Sequence, residues 1–186
     1  MPSNLSDYEK LTDKEHILKK PDTYIGSVEE DVMQGWIITK ENTMVYGNIR
    51  WIPGLYKLFD EGIVNARDHH VRMADSLTLG DHPVKNISIQ IDQKIGEITI
   101  MNDGNGIDVA KHPEHQLWIP EMIFGHLRTS TNYNSKQKRT VGGKNGFGFK
   151  LVLIYSYYGR IETVDHTRGL KYVQEFKNNL DEICKP

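Results

Sequence analysis

The stretch "VGGKNGFGFK", residues 141–150, places four glycines in ten positions directly before the apolar run "LVLIYSYYG". The whole chain has 16 glycines in 186 residues, so this is a local concentration. Such a stretch can be a solvent loop between two elements, a turn in which backbones pass closely, or a cradle for phosphate. The rest of the sequence has to distinguish these three possibilities.

Neither common phosphate-binding fingerprint fits this stretch. A Walker A loop ends in Gly-Lys-Ser or Gly-Lys-Thr, but Phe149 lies between Gly148 and Lys150. The Rossmann fingerprint follows a strand, whereas polar residues precede these glycines. What remains is a glycine-rich loop that leads into a buried helix. Exposed backbone N–H groups and the helix dipole would bind an anion there, with Lys144 and Lys150 as mobile positive charge.

Composition indicates one globular domain, with 38% hydrophobic and 26% charged residues. The formal net charge is -2, so the chain has no global positive field to hold DNA. The one compact basic run, "SKQKR" (residues 135–139), is interpreted as a solvated loop that can fold over a small anion. Composition alone therefore favours a small anionic ligand over a polyanion.

Cysteine and histidine positions argue against a disulfide or a metal cluster. Cys184 is the single cysteine, and neither "HPEH" (112–115) nor the pair His69–His70 has metal-ligand spacing, so these histidines are interpreted as surface or polar-network residues. The sequence has no apolar run of about 18 residues and no signal-peptide pattern at its start. We expect an intracellular protein with no membrane partner.

Helical patterns occur at four places. The residues "TDKEHILK" (12–19) open with the capping box of Thr12 and Glu15, and Pro21 ends that helix. Apolar residues recur at helical spacing from Pro53 to about Asp75, which predicts one long amphipathic helix. Two further helices are predicted in "IPEMIFGHL" (119–127) and in the apolar "FKLVLIYSYY" (149–158).

Three β-hairpins are predicted between these helices. The first lies in residues 36–54 and the last joins "RIETVDH" to "GLKYVQEF" through "HTRG". The middle hairpin turns at "QKIG", and the alternation of its isoleucines predicts one buried face, formed by Ile87, Ile89, Ile91, Ile98 and Ile100. Hairpins mixed with helices predict an α+β fold, a two-layer sandwich whose mixed, mostly antiparallel sheet carries helices on one face.

Polar residues recur on one face of the long helix, at Glu61, Asn65, Asp68 and Arg72. A solvated helix face is one interpretation. The other starts from Asn65, because Asn is a weak helix former and is unusual in mid-helix. A carboxylate one turn from an amide suits a water-activating base beside a ligand of Mg²⁺.

Two polar loops admit both a structural and a functional interpretation. "MNDGNGID" (101–108) follows the second isoleucine strand, and it is either an Asx-type turn or a strand end that reads the edge of a bound base. "RTSTNY" (128–133) is either a helix-to-loop cap or a set of neutral donors near a phosphate. Neither loop decides the question alone.

In this order, "FDEGIVNARDH", "MNDGNGID", "LRTSTNY" and "GGKNGFGFK" resemble the ATP-binding motifs of the GHKL family, with the Bergerat fold, which includes DNA gyrase, heat-shock chaperones, histidine kinases and mismatch-repair ATPases. Within it, "ILKKPDTYIGS", "IPGLYKLFDE" and "TVGGKNGFGFK" are most similar to the ATPase domain of eukaryotic-type DNA topoisomerase II. The resemblance runs from Tyr8 to about Phe176, and "GLKYVQEFKNNLDEI" is closer to versions from large DNA viruses than to animal ones.

The resemblance also implies a division of the chain and roles for its residues. Residues 1–30 would be a strap and short helix, and residues 31–186 an ATP-binding domain whose last strands lie beyond the sequence. Glu61 would be the general base for water attack, Asn65 the Mg²⁺ ligand, and Asn102 would face adenine. Further ATP contacts would come from Tyr8 of the other protomer's strap and from Arg72, Thr129, Ser130, Thr131, Asn132, Gly143, Lys144, Asn145, Gly146, Phe147, Gly148, Phe149 and Lys150.

Four positions depart from the patterns of related enzymes. Asn102 stands where gyrase-type members have an acid, although the eukaryotic-type enzymes share the amide. His69 replaces a frequent amide, Lys144 stands at a common arginine, and Phe149 replaces a small residue. These departures bear on how adenine, ribose and phosphate would be contacted.

The function implied is that of an ATP-hydrolysing, Mg²⁺-dependent clamp segment of a type II DNA topoisomerase. It would form a homodimer on binding ATP and would act on double-stranded DNA through the complete enzyme, in a nucleus or, for a virus, in the host nucleus or cytoplasm. The segment alone is expected to turn over slowly, because a second-domain lysine and the DNA-cleaving core are not in it. The alternative is a non-catalytic nucleotide-binding or dimerisation module.

Overall fold

The computed structural model describes residues 8–75, 78, 80–127, 129 and 147–186. The chain divides into two compact units, Met1–Leu58 and Phe59–Pro186, and the boundary falls within one helix. No helix in these described ranges is long and apolar enough to cross a membrane.

The first unit contains two short helices and a hairpin. Its elements are α1 (Asp13–Lys19), α2 (Pro21–Tyr24), β1 (Asp31–Ile38) and β2 (Met44–Trp51). The predicted capping box is confirmed, because Glu15 N donates to Thr12 Oγ1 at 3.3 Å and Thr12 N donates to Glu15 Oε2 at 2.8 Å. Pro21 ends α1 as expected and then opens α2 at its first position. The strands β1 and β2 pair antiparallel, with Trp36 opposite Tyr46.

The long helix α3 (Pro53–Asp75) begins and ends where its apolar periodicity predicts. Its first turn is fixed by a hydrogen bond from Gly54 N to Ser27 O at 2.7 Å. In the second unit the helix packs on a strand at Gly62, where an added Cβ would lie 2.5 Å from Ile100 Cδ1. The glycine therefore allows the strand side chain to approach the helix next to Glu61.

The second unit contains the remaining helices and strands. These are β3 (Ile87–Asp92), β4 (Glu97–Asn102), α4 (Ile119–Gly125), α5 (Gly148–Ile154), β5 (Tyr158–Asp165), β6 (Leu170–Lys177) and β7 (Glu182–Ile183). Strands β3 and β4 pair antiparallel, as do β5 with β6 and β6 with β7. The α+β class and all three predicted hairpins are confirmed.

Four details differ from the expectations. The described strands form three separate antiparallel sheets, β1–β2, β3–β4 and β5–β6–β7, and the short strand β7 was not predicted. The isoleucine face of β3–β4 is only partly covered, since Ile87 and Ile91 are 40% and 58% exposed, while Ile100 is half-buried where it meets α3. Helix α5 ends at Ile154, before the predicted Tyr158, which already belongs to β5.

The core of the second unit lies where α4 and α5 meet the β5–β6–β7 sheet. Phe176 and Ile154 are 2% and 0% exposed, and Gly125 of α4 faces the ring of Phe176. A buried amide is satisfied here, because Gln174 Nε2 donates to Glu121 Oε2 at 3.1 Å and to Cys184 O at 2.9 Å. These contacts join α4 to β6 and to Cys184, the residue after β7.

Candidate functional site

Glu61 on α3 borders the first residue of α5. A Cβ atom added to Gly148 would lie 3.2 Å from Glu61 Oε2, so the carboxylate lies against the backbone of the glycine stretch. Phe149, the next residue, packs edge-to-face on Phe124 of α4 with ring centroids 5.5 Å apart, and it also faces Gly62. The structure thus brings the end of "VGGKNGFGFK" beside the candidate base.

Lys150 is a buried lysine that joins α5 to Thr129, in the segment after α4. Its side chain is buried, and Nζ donates to Thr129 O at 2.8 Å. Burial lowers the pKa of Lys150 to about 8. The hydroxyl of Thr129 donates in turn to Met122 O at 2.5 Å and His126 O at 2.9 Å. The hydroxyl hydrogen of Thr129 is therefore used within the fold, as the helix-to-loop cap interpretation expected.

The polar residues of α3 do not all face solvent. Asn65 and Arg72 are exposed, but Asp68 is only 7% exposed, and its carboxylate accepts from Arg67 at 3.3 Å. A purely solvated helix face is therefore wrong for this stripe. Asn65 follows Glu61 by one helical turn, and its side chain is exposed.

Two histidines tie the second half of α3 to the loops beside β3 and β4. His69 Nε2 donates to Asn105 O at 2.7 Å, and His70 Nδ1 donates to Val84 O at 2.8 Å. The interpretation of this pair as polar-network residues is confirmed. Among the described residues no group of three or more His, Cys, Asp or Glu side chains could hold a metal ion.

Asn102 is the last residue of β4, and its amide is oriented by its neighbour. Nδ2 donates to Asp103 O at 2.9 Å, which leaves Oδ1 as an acceptor. The carboxylate of Asp103 accepts from Lys85 N at 2.6 Å and from Asn86 N at 2.9 Å, and these hydrogen bonds, with Asn86 as the main donor, hold the pKa of Asp103 below its ordinary value. Gly104 then turns the chain with φ +98°, a conformation that favours glycine.

The residues after Asn102, here called the β4 loop (residues 103–109), are held by side chains that the sequence did not mark. Asn105 Nδ2 donates to Asp81 Oδ1 at 2.7 Å, and Asn105 Oδ1 accepts from His82 N at 2.8 Å. Hydrogen bonds from Thr78 and Asn105 hold the pKa of Asp81 at about 2. On the other side, Asp165 at the end of β5 accepts from Val109 N at 2.9 Å across 56 residues of sequence.

Several predicted site residues lie outside the described part of the chain. They are Ser130, Thr131, Asn132, Gly143, Lys144, Asn145 and Gly146. Phe147 is half-buried just before α5. Tyr8 belongs to the first unit and is 70% exposed. Of the predicted residues, the structure therefore brings together Glu61 with Gly148, and Thr129 with Lys150.

Comparison with known proteins gives one family and a consistent set of relatives. The family described as "Histidine kinase-, DNA gyrase B-, and HSP90-like ATPase" matches residues 52–178. The chain is 48% identical over 184 residues to "DNA topoisomerase 2" of Acanthamoeba polyphaga mimivirus and 45% identical over 187 residues to that of Saccharomyces cerevisiae. These matches cover 96% and 100% of the chain, but only 14% and 12% of the two relatives.

Solved structures agree with the same assignment of fold. The ATPase region of Saccharomyces cerevisiae topoisomerase II superposes with a TM-score of 0.90 at 43% identity, covering 98% of this chain and 47% of that one. The ATPase and transducer domains of DNA topoisomerase II from Balamuthia mandrillaris give a TM-score of 0.90 at 38% identity, covering 100% of this chain and 45% of that one. The chain thus spans less than half of either structure.

Proposed function

Because this chain belongs to the family of histidine kinase-, DNA gyrase B- and HSP90-like ATPases, we propose that it binds and hydrolyses ATP as the clamp segment of a type II DNA topoisomerase. The observation that carries the proposal is the contact of Glu61 with Gly148. It places a carboxylate beside the backbone of the glycine stretch that would enclose the phosphates. All of the residues in that contact lie within the matched range.

Glu61 is suited to activate the attacking water. Its position on a long helix and its contact with Gly148 restrict where the carboxylate can lie, so a water held by it would have a defined direction toward the terminal phosphate. General-base catalysis of this kind contributes about 10²- to 10⁴-fold in rate. The positive charge of Lys150, next to Gly148 and Phe149 in α5, would stabilise the phosphate oxygens.

Asn102 would contact the adenine base, and Asn65 would bind the metal ion. The free Oδ1 of Asn102 can accept from the exocyclic amino group of adenine, a group that guanine lacks at that position. Asn65 would hold Mg²⁺ with the phosphates and water as its other ligands, which agrees with its exposed amide and with the preference of this ion for oxygen. Bound Mg²⁺ would neutralise charge on the phosphates. Ser130, Thr131, Asn132, Gly143, Lys144, Asn145 and Gly146, which lie outside the described part of the chain, are proposed with Arg72 as further nucleotide contacts.

Duplex passage belongs to the complete protein, since the chain spans at most 14% of the relatives named above. We infer a division into a strap of residues 1–30 and an ATP-binding domain of residues 31–186. Tyr8, exposed near the N-terminus, would reach the nucleotide site of a second protomer. The protein would act where its DNA lies, in a nucleus or, for a virus, in the host nucleus or cytoplasm.

The experiment that tests the proposal is Glu61→Gln in the complete protein. The amide keeps the shape of the side chain but cannot accept the proton from water, so ATP hydrolysis should fall by about 10²- to 10⁴-fold while ATP binding is retained. A coupled phosphate-release assay measures turnover, and a fluorescent ATP analogue measures binding. Glu97→Gln on β4 is the matched control, because Glu97 is exposed and lies at the far end of the strand from Asn102.

Two outcomes would contradict the proposal. Unchanged hydrolysis in Glu61→Gln would remove the role given to Glu61 and would favour a non-catalytic nucleotide-binding module. A wild-type protein that fails to bind the ATP analogue would remove the nucleotide site altogether. Loss of both binding and hydrolysis in Glu97→Gln as well would show that the assay reports folding rather than chemistry.

A further inference from the structure

The second half of the β4 loop lies directly on the end of β5. An added Cβ at Gly106 would lie 2.0 Å from Val164 O, so the two backbones are in close contact there. Ile107 N donates to Thr163 Oγ1 at 2.8 Å, and Val109 N donates to Asp165 Oδ2 at 2.9 Å. Three consecutive positions of β5 thus hold this half of the loop.

Asp165 is the charged member of this contact. It is 4% exposed, and besides Val109 N it accepts from Arg168 N at 3.0 Å and from Arg168 Nη1 at 2.7 Å. The same Nη1 donates to Asp108 Oδ1 at 2.5 Å, so the guanidinium joins the β5–β6 turn to the loop. These hydrogen bonds, with that from Val109 N the largest cause, hold the pKa of Asp165 at about 2, and the carboxylate stays charged at neutral pH.

The two halves of the β4 loop have different supports. Asp103 and Asn105 are held by the segment of residues 81–86, through the contacts described above. The residues after Asn105 are held by β5 and by Arg168. The segment before β3 therefore holds the first half of the β4 loop, and the β5–β6 hairpin holds the second half. The loop follows directly after Asn102.

We propose that Asp165 is a positioning residue for nucleotide binding, which fixes the β4 loop, and through it the base-facing Asn102, in the conformation that receives ATP. The inference rests on the proposed function. Asp165 acts on the loop beside the base, whereas the water-activating carboxylate is on α3. Loosening the loop should therefore weaken ATP binding and leave the hydrolytic step unchanged.

Two substitutions separate the shape of Asp165 from its charge. Asp165→Asn keeps an acceptor oxygen for Val109 N but weakens the pairing with Arg168. Asp165→Ala removes every acceptor and leaves the Val109 N–H without a partner in a buried position, a loss that typically corresponds to about a tenfold change in an equilibrium constant. Asp92→Ala is the matched control, because Asp92 is likewise the last residue of the first strand of a hairpin and accepts from the turn at Lys94 N.

The experiment uses the complete protein as wild type and as the three variants Asp165→Asn, Asp165→Ala and Asp92→Ala. Steady-state ATPase assays give KM and kcat, binding of a fluorescent ATP analogue gives Kd, and amide hydrogen exchange without nucleotide reports on Ile107 and Val109. For Asp165→Ala we expect KM and Kd to rise about tenfold, kcat to stay within about twofold, and exchange at both amides to become faster. Asp165→Asn should lie between this variant and wild type, and Asp92→Ala should match wild type.

Three results would overturn the inference, and they differ from failure of the proposed function. An unchanged KM in both Asp165 variants would overturn it, as would a fall in kcat equal to the rise in KM. The same changes in Asp92→Ala would show a general effect of hairpin turns. If wild type itself bound no ATP analogue, the proposed function would fail first. If Asp165→Ala did not fold, Asp165→Asn would decide by the same measurements.

Discussion

Asn102 illustrates how a local hydrogen bond decides what a side chain offers to a ligand. An amide can present either a donor or an acceptor, and the sequence leaves that choice open. The hydrogen bond from Nδ2 to Asp103 O uses one of the two amide hydrogens and orients the group, so that Oδ1 is left as an acceptor. At the scale of residues, the type of a candidate site residue was predictable from the motif, whereas the direction of its polar atoms depended on the backbone of the next residue.

Lys150 leads to a prediction about pH. Its pKa is lowered from the ordinary value to about 8, and a bound phosphate would favour the charged form. Below pH 8 the ammonium is present before ATP binds. Above pH 8 binding must take up a proton, so Kd for ATP should rise by up to about tenfold per pH unit. Titration of a fluorescent ATP analogue between pH 6.5 and about 9.5 measures this.

Lys150→Arg is the control for that titration. An arginine stays charged throughout the range, so the rise in Kd above pH 8 should disappear whatever the absolute affinity of the variant. The same alkaline rise in both proteins would assign the effect to another group. The effect of Lys150 on folding has the opposite sign to its effect on ATP binding. Between about pH 8 and the ordinary lysine pKa, the folded protein binds fewer protons than the unfolded one. The contribution of Lys150 to the free energy of unfolding therefore increases as the pH rises through that window.

At the scale of elements, the helices and their caps are predictable from local sequence patterns. The start of the helix at Pro53, its approximate end at Asp75 and the capping box at Thr12 are predictable, because propensity, caps and periodicity are encoded within a few positions. The supports of the β4 loop were not predicted. Asp165 and Val109 are separated by 56 residues, and no local pattern marks a strand-end aspartate as the acceptor of a distant backbone N–H.

The start of α5 provides a prediction at this scale. An added Cβ at Gly148 would lie 3.2 Å from Glu61 Oε2, so Gly148→Val should push the carboxylate away from its present position. We expect hydrolysis to fall by at least about tenfold, since small misplacements of a catalytic group have effects of that size or larger. The thermal unfolding midpoint should fall only slightly, because the side chain of Glu61 can rotate away from the added methyl groups.

Gly47→Ala is the matched control for the substitution at α5. An added Cβ at Gly47 of β2 meets nothing within 4 Å, so the variant should keep the full rate of hydrolysis and should be as stable as wild type or slightly more stable. Phosphate release and differential scanning calorimetry on both variants make the comparison. If Gly148→Val hydrolysed ATP at the wild-type rate, Glu61 and the glycine stretch would not act together.

At the scale of the whole molecule, the family could be inferred from four motifs in order, because each one is short and their sequence spacing is informative in combination. The motifs do not predict how far the faces of the sheets are buried by other elements. The isoleucine face of β3–β4 looks fully buried by its alternation, yet Ile91 is 58% exposed in the described fold. Alternation shows which side chains share a face, while the extent of burial depends on which elements pack there.

Dimerisation driven by ATP is a further prediction at the scale of the whole molecule, and it is tested in the complete protein. Tyr8 is 70% exposed in the first unit, and we propose that it enters the nucleotide site of a second protomer. With a non-hydrolysable ATP analogue, light scattering should show wild type shifting from monomer to dimer through the N-terminal clamp. Tyr8→Ala should need about tenfold more analogue for the same shift, as expected for loss of a buried aromatic contact. Tyr157→Ala, at a tyrosine that is 83% exposed, is the control and should dimerise like wild type. Equal dimerisation of all three proteins would mean that Tyr8 does not contribute to the clamp, whereas a dimer that forms equally well without nucleotide would mean that ATP does not drive it.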